Sequence, residues 1–529
     1  MESQLALDYV SPLPPVRSGI ADYSADLLPH LAQRVDVRVL RLPDLPVSDE
    51  IRARWHPADV STLGRDGRLP LYQMGNNPYH AAVRDLALAQ PGIVTLHDLV
   101  LHHLLAECTL GEGVFEPYSE ALTADHDWVG EAVAQPRWWG GYSDAGLFAL
   151  PARRTLLRRQ RGVLVHSAWA ADWLREEDPE LAVRAVPMGI PLPPEADPAA
   201  GRALRQRYGI PADVPLLGSF GFQTPIKRTL SAVRALTAPG LERVHLLVVG
   251  EVSPELDFEM EIHRLGVAER VTITGFVGFD VFEAAIAAVD LCVNLRYPSA
   301  GETSASLLRV MAVGRGAVVS EFGQFAELPP AATLAIPLGP DEIPCLAARL
   351  AKLLRRSDRL RELGRAAREH VRRVHDPEAA AMAVAAACEA LRHRQPPGDR
   401  RRRLPPPTTL CWGKVAGTLE VEGANLPWPE GERRSLRLRL TNTGEARWLA
   451  ARHGAGGVAC EVRLESEGQN LLWKAPWVPL PRDLATGEAQ EFDIAIRRPP
   501  GPARLVIEPR VMGGDSFRDL GGPIWRGEL

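Results

Sequence analysis

Lysine is nearly absent from this chain: of 61 basic residues only four are lysines, at 227, 352, 414 and 474, and the rest are arginine. Base composition explains most of such a bias, but it makes a lysine beside a glycine-rich loop conspicuous. Runs of roughly 18 apolar residues are missing too, so no membrane-spanning helix is expected. The first ten residues, MESQLALDYV, have neither a charged n-region nor a long apolar run, so no signal peptide is read and a cytoplasmic location is expected. The six cysteines (108, 292, 345, 388, 411 and 460) show no CxxC spacing, which argues against a zinc site and a disulfide framework alike. A net charge of −5 gives no case for nucleic-acid binding.

What is present is globular and long. The 529 residues suffice for three domain-sized units, and 46% apolar with 24% charged residues is ordinary for packed protein. Residues 1–193 alternate short apolar runs with amphipathic segments, the pattern of a parallel sheet with crossover helices. Expected strands are Leu5–Val10, Val35–Leu40, Leu69–Gln73, Ile93–Leu96, Gly162–His166 and Ala185–Pro187. A second such series fills 194–375, with strands at Leu216–Phe220, His245–Val249, Val271–Thr274, Leu291–Leu295, Ala317–Ser320 and Ala335–Pro337. Helices are expected at 227–237, 254–265, 279–288, 304–313, 341–355 and 357–374. An Ala-rich helix at 376–395 closes the second half, and the Pro/Arg-rich 396–409 reads as a linker. Its run Arg400–Arg403 could meet acidic lipid, although a solvated linker is the weightier reading. Beyond it, Ser435–Leu440 alternates strictly and turns recur, so 410–529 reads as an all-β sandwich.

Two successive doubly wound domains put a ligand crevice at the carboxyl ends of their strands. The segment 297–320, YPSAGETSASLLRVMAVGRGAVVS, carries the strongest signal there. Tyr297-Pro298 ends a strand, Gly301 to Ser304 form a small-residue turn, and Ser304 can cap a helix that Gly314 stops. A helix start behind such a loop is an anion site, because its first N–H groups are unpaired. Between parallel strands it points to a phosphate-bearing ligand. The other informative loops also follow strands: SPLPPVRSGIADYS (11–24), YQMGNNPYH (72–80), LHD (96–98), GFQTPIKR (221–228) and Gly275-Phe276-Val277.

The set resembles the retaining GT-B glycosyltransferases of family 4, over about residues 1–395. SGIADYS is similar to the family's N-terminal glycine loop, VTLHD to its histidine motif, and VHSAWAADWL with VPMGI to the approach to the hinge. GFQTPIKR resembles its G-x-x-x-x-x-K loop, and AGETSASLLRVMAVGRGAVVSEFGQFAELP its donor-site segment. The resemblance implies an α/β fold of two Rossmann-like domains, acceptor-side and then donor-binding, with no divalent metal and no further cofactor. It implies a nucleotide-sugar donor and a glycan or glycolipid acceptor, the latter bringing peripheral contact with the inner membrane face. It makes His97, Lys227 and Glu302 the catalytic candidates, His97 orienting the donor sugar. Lys227 and Arg228 would take up diphosphate charge, Gly19, Gly221, Thr303 and Ser304 would line the donor, and Phe276 and Val277 would meet the base. Asn76, Asn77, His80 and Asp98 are weaker acceptor-side candidates. Tyr118, Trp128, Trp138, Trp139 and Tyr142, in an insertion after the histidine motif, are an acceptor platform or, with more weight, packing. Trp448, Trp473, Trp477 and Trp525 pose the same choice in the sandwich, and TNTGEARW there resembles a turn of Ig-like accessory domains.

The chain departs from the family in two places. Arg309 stands where the second of two glutamates is common, Gly301 takes the place of the first, and Val310 lies eight residues after Glu302. Phe222 replaces a common arginine. A degenerate GT-B protein that binds a glycan or partner without turnover is therefore the alternative to an active enzyme. Nucleotide-sugar isomerisation is a weaker third reading, since no acid–base carboxylate pair is evident.

Overall fold

The computed structural model describes residues 5–528 except 141–144, 194–196, 399–407, 410–414, 425–426, 454–455, 466–470, 475–476 and 513–522. It also leaves aside the side chains of 128, 145 and 471–474. Tyr142, Cys411, Arg400–Arg403 and the side chains of Trp128 and Trp473 thus lie outside the described residues. The chain divides into two compact units, Met1–Ile336 with Ile343–Arg400, and Pro337–Glu342 with Arg401–Leu529.

The first unit holds two parallel sheets. One has seven strands, β1 (Ala6–Val10), β2 (Asp36–Arg41), β3 (Ala58–Asp59), β4 (Leu69–Met74), β5 (Ile93–Leu96), β6 (Gly162–Val165) and β7 (Val183–Ala185), in the order β3-β2-β1-β4-β5-β6-β7. Its central strands β4 and β5 are buried throughout, as a sheet covered on both faces requires. The other has six, β8 (Leu216–Phe220), β9 (His245–Val249), β10 (Val271–Ile273), β11 (Leu291–Asn294), β12 (Gly316–Ser320) and β13 (Thr333–Ile336), ordered β10-β9-β8-β11-β12-β13. In both, the order reverses beside the first strand, so the switch points fall at β1/β4 and β8/β11. The expected doubly wound architecture is what the chain adopts.

Several details differ from expectation; strand β13, for one, begins two residues early, at Thr333. The edge strand β3 has two residues, too few to show alternation. Strand β7 lies two residues early, pairing Val183 with Val163 and Ala185 with Val165; Pro187, which has no N–H, is left outside it. The Ala-rich helix, observed at Pro377–Leu391, does not close the second half but returns to the first. It packs on helix Gly19–Leu31, and Leu391 lies where a Cβ on Gly162 would come within 2.5 Å of it. Asp376 caps it through the Ala379 N–H at 2.8 Å, and its buried Ala380, Ala381, Val384, Ala387 and Leu391 form the face that docks.

The second unit is antiparallel. A three-stranded sheet (Gly417–Glu422, Arg433–Asn442, Ala489–Arg497) and a five-stranded one centred on Val458–Glu465 and Arg504–Val511 share one core. Leu436, Leu438 and Leu440 point into it while Arg437 and Arg439 face solvent, the alternation read in the sequence. The TNTGEARW turn is organised by buried Asn442, whose Nδ2 donates to the carbonyls of Ala446 (2.8 Å) and Leu484 (2.9 Å). Trp448 is fully buried in this core and Trp525 packs against it, so these two are packing residues. In the first unit Tyr118 is likewise buried, its hydroxyl 2.6 Å from His102 Nε2, whereas Trp139 is exposed. Among the described residues no helix is long and apolar enough to cross a membrane.

Candidate active site

The loops leaving β1, β4, β5, β8 and β11 meet at the facing carboxyl ends of the two parallel sheets. On the second sheet, the chain turns sharply after β8 because Gly221 takes φ +84°, a conformation costly for any residue with a Cβ. A Cβ there would also stand 2.8 Å from Lys227 Nζ. Lys227 is not in the first turn of a long helix, as the sequence suggested. It ends a short 3₁₀ turn, Pro225–Lys227, and Arg228 at φ +51° then restarts the chain as helix Thr229–Ala235. This folds Lys227 back on its own strand, where Nζ donates to the Phe220 carbonyl at 2.6 Å. Burial holds its ammonium pKa well below the ordinary value; Arg296 pushes the same way and Glu302 opposes.

Arg296, two residues past β11, was not singled out in the sequence. It is buried and pairs with Glu302 at 3.3 Å. Glu302 also accepts from Ser299 Oγ at 3.1 Å, while Gln324 Nε2 donates to the Glu302 carbonyl at 2.6 Å. Ser304 caps helix Ala305–Ala312 as expected, accepting from the Leu307 N–H at 3.3 Å. Thr303 and Ser304 line a cavity of about 350 Å³ together with Gln324, Glu327, His166 and His375.

On the first sheet His97 is buried, with Nε2 3.0 Å from Gln73 Oε1 and Nδ1 3.2 Å from His166 Nε2. Tyr23 lies edge-on to both rings. The next residue, Asp98, accepts from the Asn76 N–H at 3.0 Å. The Leu99 N–H donates to the Ala300 carbonyl at 2.5 Å, which brings the Asp98 loop against the Glu302 loop. The structure therefore gathers His97, Asp98, Lys227, Arg296 and Glu302 around the meeting of the two switch points. Asn76 and Asn77 serve local structure instead. Asn76 accepts from the Leu104 N–H (3.0 Å) and Asn77 from the Tyr79 N–H (3.1 Å). Asn77 Oδ1 also lies 3.0 Å from Nδ1 of buried His80. Gly19 opens helix Gly19–Leu31 with nothing within 4 Å of a Cβ added there, so packing does not demand glycine and the space before it is open.

The nucleotide-side candidates are more exposed. Phe276 is 56% exposed and lies under the Arg17 guanidinium, 4.2 Å from the ring centre, while Val277 is half-buried. Arg309 ties the two halves together, 2.6 Å from Asp26 of helix Gly19–Leu31. In a chain rich in arginine, Arg296 was easy to pass over. A cation just past a buried strand and before a small-residue turn is the signal that would have marked Arg296.

Burial, and next the charge of Glu302, push Asp98 up to about 7, against the Asn76 N–H and Arg296. A carboxyl raised in the folded state stabilises fully below its unfolded pKa, and that stability is lost as pH rises to the folded pKa. Asp98→Asn removes this loss, and its amide oxygen can still accept from Asn76. Its melting temperature should therefore gain on the wild type between pH 4 and 7 by a few degrees and stay level above that. A difference that is flat across this window in thermal melts would show that Asp98 is not held protonated.

Comparison with known proteins adds to this geometry. Residues 214–356 match the model of the glycosyl transferases group 1. A 2-deoxystreptamine glucosyltransferase of Streptomyces kanamyceticus is 25% identical over 311 residues, 58% of this chain and 70% of its own. Sucrose-phosphate synthase from Thermosynechococcus elongatus superposes with a TM-score of 0.52 at 18% identity, over 73% of this chain and 99% of its own. HepE from Anabaena, solved with UDP and glucose, does so at 0.49 and 16%, over 73% and 100%. The structural likeness concerns the fold, that of GT-B enzymes. The group 1 match across β8 to β13 and the curated relative support a glycosyltransferase that draws its sugar from a nucleotide donor.

Proposed function

We propose that the chain is a retaining, metal-independent glycosyltransferase that moves a sugar from a nucleoside-diphosphate donor to a glycan or glycolipid. The observation that carries this reading is the meeting of two basic side chains, half-buried Lys227 and buried Arg296, with Glu302 and Asp98 where the two sheets face each other. A departing diphosphate needs cations and N–H donors already in position, and in a dry site these act far more strongly than in water. Lys227, with the N–H groups following Ser304, takes the diphosphate; Arg228 adds charge, and Gly19 leaves room. Glu302, anchored by Arg296 and Ser299, is left to hold sugar hydroxyls beside His97 and Asp98.

The acceptor hydroxyl attacks the anomeric carbon on the face the diphosphate leaves. The bond from carbon to phosphate oxygen breaks as the new glycosidic bond forms, and the hydroxyl proton passes to the diphosphate. Residues 1–193 form the acceptor side, 194–375 the donor side, and 410–529 an Ig-like accessory module. A glycolipid acceptor would bring the protein to the inner membrane face. Arg309 held by Asp26 is the observation favouring the degenerate, non-catalytic alternative, since the position is taken within the protein.

A thermal-shift panel of nucleoside-diphosphate sugars separates the two readings. At about 100 times its dissociation constant a true donor stabilises by about 2.7 kcal/mol. At least one sugar nucleotide should raise the melting temperature, and product analysis should show retention at the anomeric carbon. If none binds, the transferase reading fails; if one binds but no acceptor is glycosylated, the degenerate reading takes its place.

A further inference from the structure

The hydrogen bonds around His97 form a chain whose direction can be worked out. His166 Nδ1 lies 3.2 Å from the Val186 carbonyl, which can only accept, so Nδ1 of His166 carries a hydrogen. A neutral His166 then has a lone pair on Nε2, 3.2 Å from His97 Nδ1. His97 Nδ1 must therefore be the donor of that pair, which leaves His97 Nε2 as an acceptor. Its partner, the Gln73 carboxamide at 3.0 Å, has to present its NH₂ there rather than its oxygen. Turning the amide over is a choice between two nearly indistinguishable orientations. It also gives a partner to the Gln73 Nε2, a fully buried donor that has none in the opposite orientation. Thr95, the register partner of Gln73 on β5, has an unpartnered buried hydroxyl as well, a donor in want of an acceptor.

The surroundings favour neutrality throughout the chain. Burial holds His97 well below the ordinary imidazole value and His166 at about 4. The titratable groups facing them are His80 and Tyr23 beside His97, and Tyr23 and His375 beside His166. None of these three is a carboxylate that would favour an imidazolium, and Glu327, which lines the same cavity as His166, is taken up by the Ala168 and Trp169 N–H groups. His80 and His375 are themselves held at about 4 by burial. Tyr23 is a buried phenol pushed well above its usual range. The far end of the chain, Val186, lies in the segment that leaves β7 for the second half, where His375 Nδ1 donates to the Met188 carbonyl at 2.9 Å.

We infer that His166 is a positioning residue that locks His97 as the neutral Nδ1–H tautomer, so that both ring nitrogens of His97 are engaged and it lends the reaction a fixed, uncharged ring rather than an acid or a base. The inference rests on the reading of this cleft as a sugar-transfer site, but the lock itself can be measured without activity. Full-length protein labelled with ¹⁵N-histidine, with resonances assigned by His97→Asn and His166→Asn, reports the tautomer of each imidazole. Both rings should show the neutral Nδ1–H pattern from pH 6 to 8. In His166→Leu the lock is gone and His97 should change to a tautomer mixture, with kcat lowered by up to about 10²-fold and donor KM little changed. His166→Gln offers an oxygen to His97 Nδ1 and should restore both the tautomer and most of kcat.

A His97 bearing its hydrogen on Nε2 in the wild type, or doubly protonated at pH 7, overturns the inference. So does an unchanged His97 spectrum in His166→Leu. Should that variant fail to fold, the wild-type spectrum and His166→Gln still decide. The predicted tautomers in a protein that transfers no sugar would sink the transferase reading and leave the lock standing.

Discussion

Lys227→Ala should lower kcat/KM for sugar transfer by about 10²–10³-fold, the usual cost of removing one preorganised donor from a charge-stabilising site. The effect should fall mostly on kcat, because charge on the diphosphate grows as the bond to the sugar breaks. Lys227→Arg should not rescue it. Nζ donates to the Phe220 carbonyl at 2.6 Å beside the bare backbone of Gly221, a place that suits a compact ammonium and not a longer, planar guanidinium. The same argument gives the reaction a proton signature. Burial and Arg296 depress the Lys227 pKa in the free protein, whereas a bound diphosphate raises it. Above the free-state pKa donor binding therefore takes up a proton, and affinity falls as pH climbs past that point. Calorimetry of donor binding in two buffers of different protonation enthalpy measures that uptake, and initial rates measure the loss. An alanine variant with wild-type kcat would remove Lys227 from the diphosphate.

Much of this architecture was legible because parallel sheets bury whole strands. Leu69–Gln73, Ile93–Leu96, Leu216–Phe220 and His245–Val249 read as short, mostly apolar runs and lie almost where the sequence pattern put them. Ser304 was readable as a cap for the same local reason: its hydroxyl serves an N–H three residues on. What the sequence hid was non-local. The 3₁₀ turn that folds Lys227 back depends on Gly221 and Arg228 both taking positive φ, which no helical periodicity announces. Arg296 gains its meaning from Glu302, and Asp98 from a loop two hundred residues away. The return of helix Pro377–Leu391 to the first sheet was invisible in its composition, since an Ala-rich face packs equally well on either half. Arg309 shows both sides of this. The departure from the family pattern stood out in the sequence, while its ion pair with Asp26 exists only once the halves face each other.

Arg296→Met is expected to be among the most destabilising single changes in the first unit, at about 3–5 kcal/mol. The side chains of Arg296 and Glu302 are 10% and 17% exposed, so solvent screens their pairing weakly. Methionine keeps the apolar stem but leaves Glu302 a desolvated carboxylate facing Asp98, which its charge already pushes up to about 7. Lys227 could in principle take over the pairing, since it already feels Glu302. Its Nζ, however, is committed to the Phe220 carbonyl at 2.6 Å, and leaving would unmake that bond in a buried place. The two costs oppose each other, and the unpaired carboxylate is the larger. The decisive measurement is a double-mutant cycle by urea unfolding at pH 7. Adding Glu302→Gln to Arg296→Met removes the stranded charge, so the double variant should be more stable than Arg296→Met alone by about 1–3 kcal/mol. If the two changes merely add, the ion pair is not what anchors Glu302. Glu302 would then need another reason to sit, half-buried, where the two sheets meet.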